Sequence, residues 1–116
     1  MPDQEIPTLS LHLERTTPDA VIVRCSGRLV AGVSDTLYRR VKELIPAHKR
    51  IVLDLTDLTH MDSTGLGALV RLYVSARSTG CGLELINLSQ GISKILALTN
   101  LLSVFSVIGE HHIKLG

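Results

Sequence analysis

The chain has 116 residues, 45% of them hydrophobic, and this length suits one domain with a single packed core. Twelve basic and eleven acidic residues give a net charge of +1, and no basic run is long enough to follow a nucleic-acid backbone. Aromatic residues make up only 3% of the chain, which argues against base stacking on an exposed sheet. Nucleic acid is therefore not expected as a primary partner.

The cysteines and histidines do not predict a metal site or a cofactor. Cys25 and Cys81 lie in apolar, strand-like segments and form no CxxC pair, so we expect buried, reduced thiols. His111 and His112 would need a third ligand, and a solvated tail is the simpler interpretation. No leader is recognisable and no apolar stretch has the length of a membrane span, so the sequence predicts a cytoplasmic protein without a membrane partner.

The first third of the chain predicts a hairpin. Residues 1–7 carry two prolines and two acids and are expected to form a flexible arm. Leucines alternate with polar residues over 9–14, which predicts a strand with one buried face. After a turn signal at 16–19, residues 20–25 predict a second strand that ends at Gly27. Residues 28–32 are expected to form a connecting loop.

A helix and a buried strand follow. Ser34 is a good helix cap, apolar residues then recur at helical spacing, and Pro46 ends the pattern. The charged residues Arg39, Arg40, Lys42 and Glu43 are typical of a solvated helix face. Residues 51–55 are apolar at every position except Asp54, which predicts a third strand inside a sheet that helices cover.

The stretch from 62 to 80 predicts the central helix. Asp62, Ser63 and Thr64 can each accept hydrogen bonds from the free N–H groups of a first helical turn. Gly65 and Gly67 cost about 1 kcal/mol each inside a helix, so we expect a close backbone approach there. Gly80 is the predicted end of this helix.

The remaining segments complete an α/β domain. Residues 83–86 predict a fourth strand. The turn Asn87-Leu88-Ser89 then leads into a helix over 92–98, which Asn100 ends. Residues 104–108 predict a fifth strand. Residues 109–116 are expected to be a tail or a short helix. The prediction is one domain over 1–116, with a mixed sheet of about five strands that begins with a hairpin and is flanked by three or four helices.

Ser63 is the candidate functional residue. A phosphate at a helix N-terminus is favoured by about 1 kcal/mol, so Ser63 suits a phosphorylation switch, although a simple capping role explains the same residues. A hydrolase is not expected, because there is no Gly-x-Ser-x-Gly motif and His60 is a poor candidate for a general base. The pair of Gly65 and Gly67 lacks the spacing and the lysine of a nucleotide-binding loop.

A resemblance adds to this interpretation. Asp54-Leu55, followed by Met61-Asp62-Ser63-Thr64-Gly65-Leu66-Gly67, resembles the signature of STAS domains, the family of anti-sigma factor antagonists and sulphate-transporter tails. The resemblance extends from about Leu9 to Ile108. In the antagonists the serine after the aspartate is phosphorylated, and here that position is Ser63. The resemblance implies a non-enzymatic regulator that binds an anti-sigma factor with serine kinase activity, and a PP2C-type phosphatase that removes the phosphate.

The resemblance also implies a partner-binding surface around Ser63. It would include Asp62, Thr64 and Gly65, the loop residues Arg28, Leu29 and Val30, and the turn residues Asn87 and Ser89. Many antagonists read Gly-x-Leu-Asp in the loop, whereas this chain has Val30 at the acidic position and Arg28 nearby. Thr64 is a second, less favoured acceptor. The alternative function is a STAS scaffold that is not phosphorylated, or a module that binds a small anionic ligand at the same helix end. A monomer or weak dimer is expected.

Overall fold

A five-stranded sheet is the centre of the computed structural model, which describes residues 8–108. The predicted arm at 1–7 and tail at 109–116 lie outside the described residues. The strands are β1 (Leu9–Thr17), β2 (Ala20–Leu29), β3 (Arg50–Met61), β4 (Gly82–Ile86) and β5 (Ser106–Ile108), and the helices are α1 (Ser34–Leu44), α2 (Ser63–Ser78) and α3 (Gln90–Leu98).

The strand order follows the chain, β1-β2-β3-β4-β5. β1 is antiparallel to β2, and the other neighbouring strands are parallel. This arrangement confirms the predicted α/β fold with a mixed sheet that begins with a hairpin. Within residues 8–108, no helix is long and apolar enough to cross a membrane.

The hydrophobic core lies on one face of the sheet. Ile51, Leu53 and Leu55 of β3 are fully buried in it, and each of the three helices contributes buried side chains to the same cluster. Val52 and Asp54 alternate with these residues and therefore face the other way. Val52 is 7% exposed but is not part of the cluster. All three described helices therefore pack on the same face of β3.

Ion pairs occupy the second face of the sheet. Arg50 donates two hydrogen bonds to Glu84, both 2.8 Å long, from β3 to the neighbouring β4. Arg24 of β2 lies 2.9 Å from Glu14 of β1 and 3.9 Å from Asp54 of β3. This face is consequently polar where the other is apolar.

Two strands are longer than predicted. β2 continues past Gly27 to Leu29, and β3 continues to Met61. Gly27 adopts a φ of 101° beside a register irregularity, and a side chain there would overlap the carbonyl oxygen of Thr8. Gly27 therefore shapes a bulge and does not end the strand. The predicted loop at 28–32 begins two residues later.

Helix ends follow the predictions except at α1. Gly80 and Asn100 directly follow the caps of α2 and α3 with φ of 79° and 61°. At α1 the capping position is Val33, and Ser34 is the first helical residue. Ser34 was predicted as the cap, but its hydroxyl bonds to another helix instead. Val104, predicted in β5, precedes that strand.

Candidate functional site at the start of helix α2

Asp62 caps helix α2. Its Oδ1 accepts hydrogen bonds from the N–H groups of Thr64 and Gly65, both 3.0 Å long. These donors would otherwise have no partner at the helix start. The predicted helix start is confirmed.

Asp62 also ties the loop after β2 to the helix. Its Oδ2 accepts a 2.9 Å hydrogen bond from the N–H of Ala31, and its own N–H donates to the carbonyl of Leu29 at 3.3 Å. The hydroxyl of Thr64, followed by the N–H groups of Ala31 and Gly65, lowers the pKa of Asp62 from 3.8 to about 2. The carboxylate is therefore ionised at neutral pH, and it holds two segments together.

The two hydroxyl groups beside Asp62 differ in their surroundings. Thr64 donates its hydroxyl hydrogen to Asp62 Oδ1 at 2.7 Å and accepts a hydrogen bond from the hydroxyl of Ser34 at 3.3 Å. Ser63 is exposed, and its hydroxyl makes no hydrogen bond to any of residues 8–105. Of the two, Ser63 alone presents a free hydroxyl to solvent.

Only one of the two glycines is required by packing. A side chain at Gly65 would overlap the carbonyl oxygen of Leu29, and would lie 2.8 Å from Leu29 Cγ and 3.0 Å from Met61 Cγ. At Gly67 a side chain would meet nothing within 4 Å. The expected close backbone approach exists at Gly65, where the first turn of α2 presses on the end of β2.

The loop after β2 presents a different surface from the one expected. Arg28 is exposed, Val30 is half-buried, and Leu29 is only 1% exposed in the core. Leu29, expected to contact a partner, is therefore a core residue whose carbonyl oxygen supports Asp62. The carbonyl of Val30 accepts the N–H groups of Val33 and Ser34 and so turns the chain into α1.

Asn87 and Ser89 are engaged at another point of the sheet edge. Asn87 donates its side-chain N–H to Asp54 Oδ1 at 3.1 Å, and Ser89 Oγ accepts the N–H of Ile92 at 3.2 Å as the cap of α3. β3 pairs with β4 only as far as Asp54 and then runs on to Met61. Within residues 8–108, hydrogen bonds join the start of α2 to the loop at 29–34 but not to the turn at 87–89.

The described residues offer Ser63 no general base. The Nδ1 atom of His60 lies 2.9 Å from the hydroxyl of Thr59, which itself donates to the carbonyl of Gly27 at 3.0 Å. No group of three potential metal ligands occurs in residues 8–108, and His111 and His112 lie outside them. Cys25 and Cys81 are buried and free, as predicted.

Ala31 and Ser34 complete the site, although neither was named among the predicted site residues. A backbone N–H such as that of Ala31 has no signature in a sequence. Ser34 did carry a signal, because a serine before an apolar helix is a common cap. In the structure the Ser34 hydroxyl donates a hydrogen bond to the Thr64 hydroxyl. This contact depends on the packing of α1 against α2, which the sequence does not show.

A comparison with protein families identifies the chain. The family model of the STAS domain matches residues 13–114. The chain belongs to the STAS domain family. The anti-sigma-B factor antagonist of Listeria monocytogenes is 27% identical to this STAS domain over 101 residues, which cover 85% of the chain and 88% of the relative. The anti-sigma F factor antagonist of Paenibacillus polymyxa is 28% identical over 89 residues, or 75% of the chain and 76% of the relative.

Solved structures of antagonists share the fold. The anti-sigma factor antagonist SpoIIAA in its unphosphorylated form matches this STAS domain with a TM-score of 0.74 and 21% identity, over 88% of this chain and 90% of that one. The phosphorylated form of this Bacillus cell fate determinant matches with a TM-score of 0.70 at the same identity, over 88% of this chain and 94% of that one. At such identities the likeness concerns the fold.

Proposed function

We propose that this STAS domain is an anti-sigma factor antagonist whose binding to an anti-sigma factor is switched by phosphorylation of Ser63. One observation carries the proposal: the exposed Ser63 hydroxyl at the start of α2 has no hydrogen-bond partner among residues 8–105, while the neighbouring hydroxyl of Thr64 is engaged. The named antagonist relatives support the class of partner. SpoIIAA, which shares the fold, has been seen in both phosphorylated and unphosphorylated forms.

The engaged hydroxyl of Thr64 favours Ser63 as the phosphate acceptor. A kinase must reach the acceptor oxygen and take its proton. Phosphorylation of Thr64 would remove the hydrogen that it donates to Asp62 and would place a phosphate beside the Ser34 hydroxyl that bonds to it, and these bonds help to hold the helix start to α1. Ser63 would lose no bond within the described residues. We therefore propose Ser63, and not Thr64, as the acceptor.

Charge provides the mechanism of release. A phosphoserine carries about −1.5 to −2 charge at pH 7. Asp62 stays ionised because its pKa is about 2, so the helix start would change from about −1 to about −3. An apolar or acidic partner surface would have to desolvate or face this charge. The bonds of Asp62 to Ala31, Thr64 and Gly65 do not involve Ser63, so release requires no refolding of the site.

An anti-sigma factor with serine kinase activity and a PP2C-type phosphatase are the partners that we propose for adding and removing the phosphate. The antagonist relatives favour this switch over a scaffold or a module that binds a small anionic ligand. We propose no enzymatic activity, because a nucleophilic serine needs a base within hydrogen-bond distance. The imidazole of His60 instead contacts Thr59.

Phosphosite mapping tests the proposal. The protein isolated from its own cells is weighed intact and fragmented, and the proposal expects one phosphate, located on Ser63. In parallel, the anti-sigma factor kinase of the same organism is assayed on the Ser63→Ala and Thr64→Val variants. We expect Ser63→Ala to lose phosphorylation and Thr64→Val to retain it. Phosphate on Thr64 alone, or none under any growth or stress condition, would contradict the proposal.

A further inference from the structure

An aromatic ring between two cations marks the boundary of helices α1 and α2. The guanidinium carbon of Arg71 lies 4.2 Å from the centroid of the Tyr38 ring, and Lys42 Nζ lies 5.2 Å from it. Tyr38 is half-buried, whereas Lys42 and Arg71 are exposed. We call Tyr38, Lys42 and Arg71 the cationic seam.

The cations of the seam have no carboxylate partner among residues 8–105. In residues 8–105, no carboxylate oxygen lies within 4.0 Å of Lys42 or Arg71. Helix α2 contains no acidic residue. Helix α1 has two: Asp35 is paired with Arg39 at 3.2 Å, and Glu43, next to Lys42 in sequence, forms no ion pair within 4.0 Å among residues 8–105. Both cations lie close to one ring centroid, so their like charges are less than about 10 Å apart. An anion between them would relieve this repulsion.

The seam lies on the same α1–α2 boundary as the proposed phosphorylation site, further along the two helices. The hydroxyl of Ser34 meets that of Thr64 where α1 and α2 begin, and Tyr38 and Arg71 lie further along the same boundary. Arg71 follows Ser63 by eight residues of continuous helix, which is about 12 Å at 1.5 Å per residue. A phosphate on Ser63 is therefore too far away to bind Arg71 directly. A protein surface that covers Ser63 can extend over the seam.

We propose that the cationic seam binds an acidic segment of the partner protein that docks at Ser63. Carboxylates of this segment would pair with the exposed Lys42 and Arg71 on either side of Tyr38, where charge complementarity favours them. Phosphate on Ser63 lies about 12 Å along α2 from Arg71, beyond one Debye length at physiological salt, so it would act on the part of the partner that covers Ser63 and not on the carboxylates at the seam. The seam then provides the attraction that phosphorylation opposes. This inference rests on the proposed function.

Substitutions of the seam have a control on helix α1, which also carries Lys42. Lys42→Gln and Arg71→Gln each remove one charge of the seam, and Arg39→Gln removes one charge that is already paired with Asp35. The first probe is a ten-residue peptide of alternating Glu and Gly, titrated into the full-length protein while its amide NMR shifts are recorded. A peptide of alternating Gln and Gly serves as the neutral control.

We expect the Glu peptide to shift amides around Tyr38, Lys42 and Arg71. The dissociation constant should rise by about fivefold in Arg71→Gln and by less than about twofold in Arg39→Gln. Binding should fade in high salt, and the neutral peptide should not bind. Equal losses in all three variants, or shifts spread over every cation of the surface, would overturn the seam as a site.

The second probe separates this inference from the proposed function. The association rate with the organism's anti-sigma factor is measured for the same variants, because a charge at the rim of an interface acts mainly on this rate. We expect Arg71→Gln to slow association by about fivefold relative to Arg39→Gln. If the peptide binds the seam but Arg71→Gln associates at the control rate, the acidic partner segment is refuted. If no anti-sigma factor binds the unmodified protein, the proposed function fails while the peptide result still decides the seam.

Discussion

Gly65→Ala tests how tightly the first turn of α2 is held against β2. The added methyl group would overlap the carbonyl oxygen of Leu29 and lie 2.8 Å from Leu29 Cγ. Leu29 is 1% exposed and the other neighbour, Met61, is 9% exposed, so neither has open space to move into. Overpacking of this kind costs about 1–3 kcal/mol, and alanine recovers about 1 kcal/mol of helix propensity. The clash with a backbone atom places the overpacking cost at the upper end of its range, about 3 kcal/mol, so we expect a net loss of about 2 kcal/mol in the free energy of unfolding.

Gly67→Ala is the matched control, two residues along the same helix. Its methyl group meets no atom within 4 Å, so the helix propensity alone should stabilise the protein by about 0.5–1 kcal/mol. Urea unfolding followed by circular dichroism measures both variants, with unchanged m-values expected. If Gly65→Ala is as stable as the unmodified protein, the close packing of α2 on β2 is refuted.

Three further predictions concern charges and thiols. The pKa of Asp62 is lowered to about 2, so its contribution to stability is complete above about pH 4 and is lost as the pH falls toward 2. The Asp62→Asn variant should therefore lose less stability than the unmodified protein between about pH 4 and about pH 2. The same dependence of stability on pH in both proteins would contradict this prediction. A double-mutant cycle with Arg50→Gln and Glu84→Gln should give a coupling free energy of about 0.5–1 kcal/mol. This coupling should weaken in salt, because Arg50 is half-exposed. A coupling of zero would show that the two hydrogen bonds contribute nothing to stability. Burial raises the pKa of Cys25 to about 12 and also raises that of Cys81. A disulfide reagent at pH 8 should therefore label neither thiol until urea unfolds the protein. Rapid labelling of the native protein would contradict their burial.

The start of α2 was predictable because its main signals are local. An aspartate directly before a helix caps it whatever the tertiary structure, and Asp62 does so. Local signals did not separate Gly65 from Gly67, because the difference depends on the approach of Leu29 from β2. They also did not separate Ser63 from Thr64, because Ser34, which engages Thr64, comes from another helix.

The strand ends were harder to predict because bulges change the alternation. The pairing of β2 with β3 shifts between Arg24 and Ser26 and again between Gly27 and Arg28. Beyond the shifts, Leu58 and Met61 of β3 are the buried residues, three positions apart where a regular strand has a spacing of two. The polar residues between them therefore resembled a turn. The pairing with β2 extends the strand through this segment.

The binding of a Ser63 phosphoprotein to its anti-sigma factor tests the central claim most directly. Protein with phosphoserine incorporated at position 63 is compared by calorimetry with the unmodified protein. A matched control carries phosphoserine at Ser10, an exposed position on the edge strand β1. The proposed switch predicts that the Ser63 phosphoprotein binds the anti-sigma factor at least about 100-fold more weakly, because a charge on a buried contact typically costs several kcal/mol. The Ser10 phosphoprotein should bind with near-normal affinity. Equal affinities of the unmodified and Ser63-phosphorylated proteins would contradict the switch.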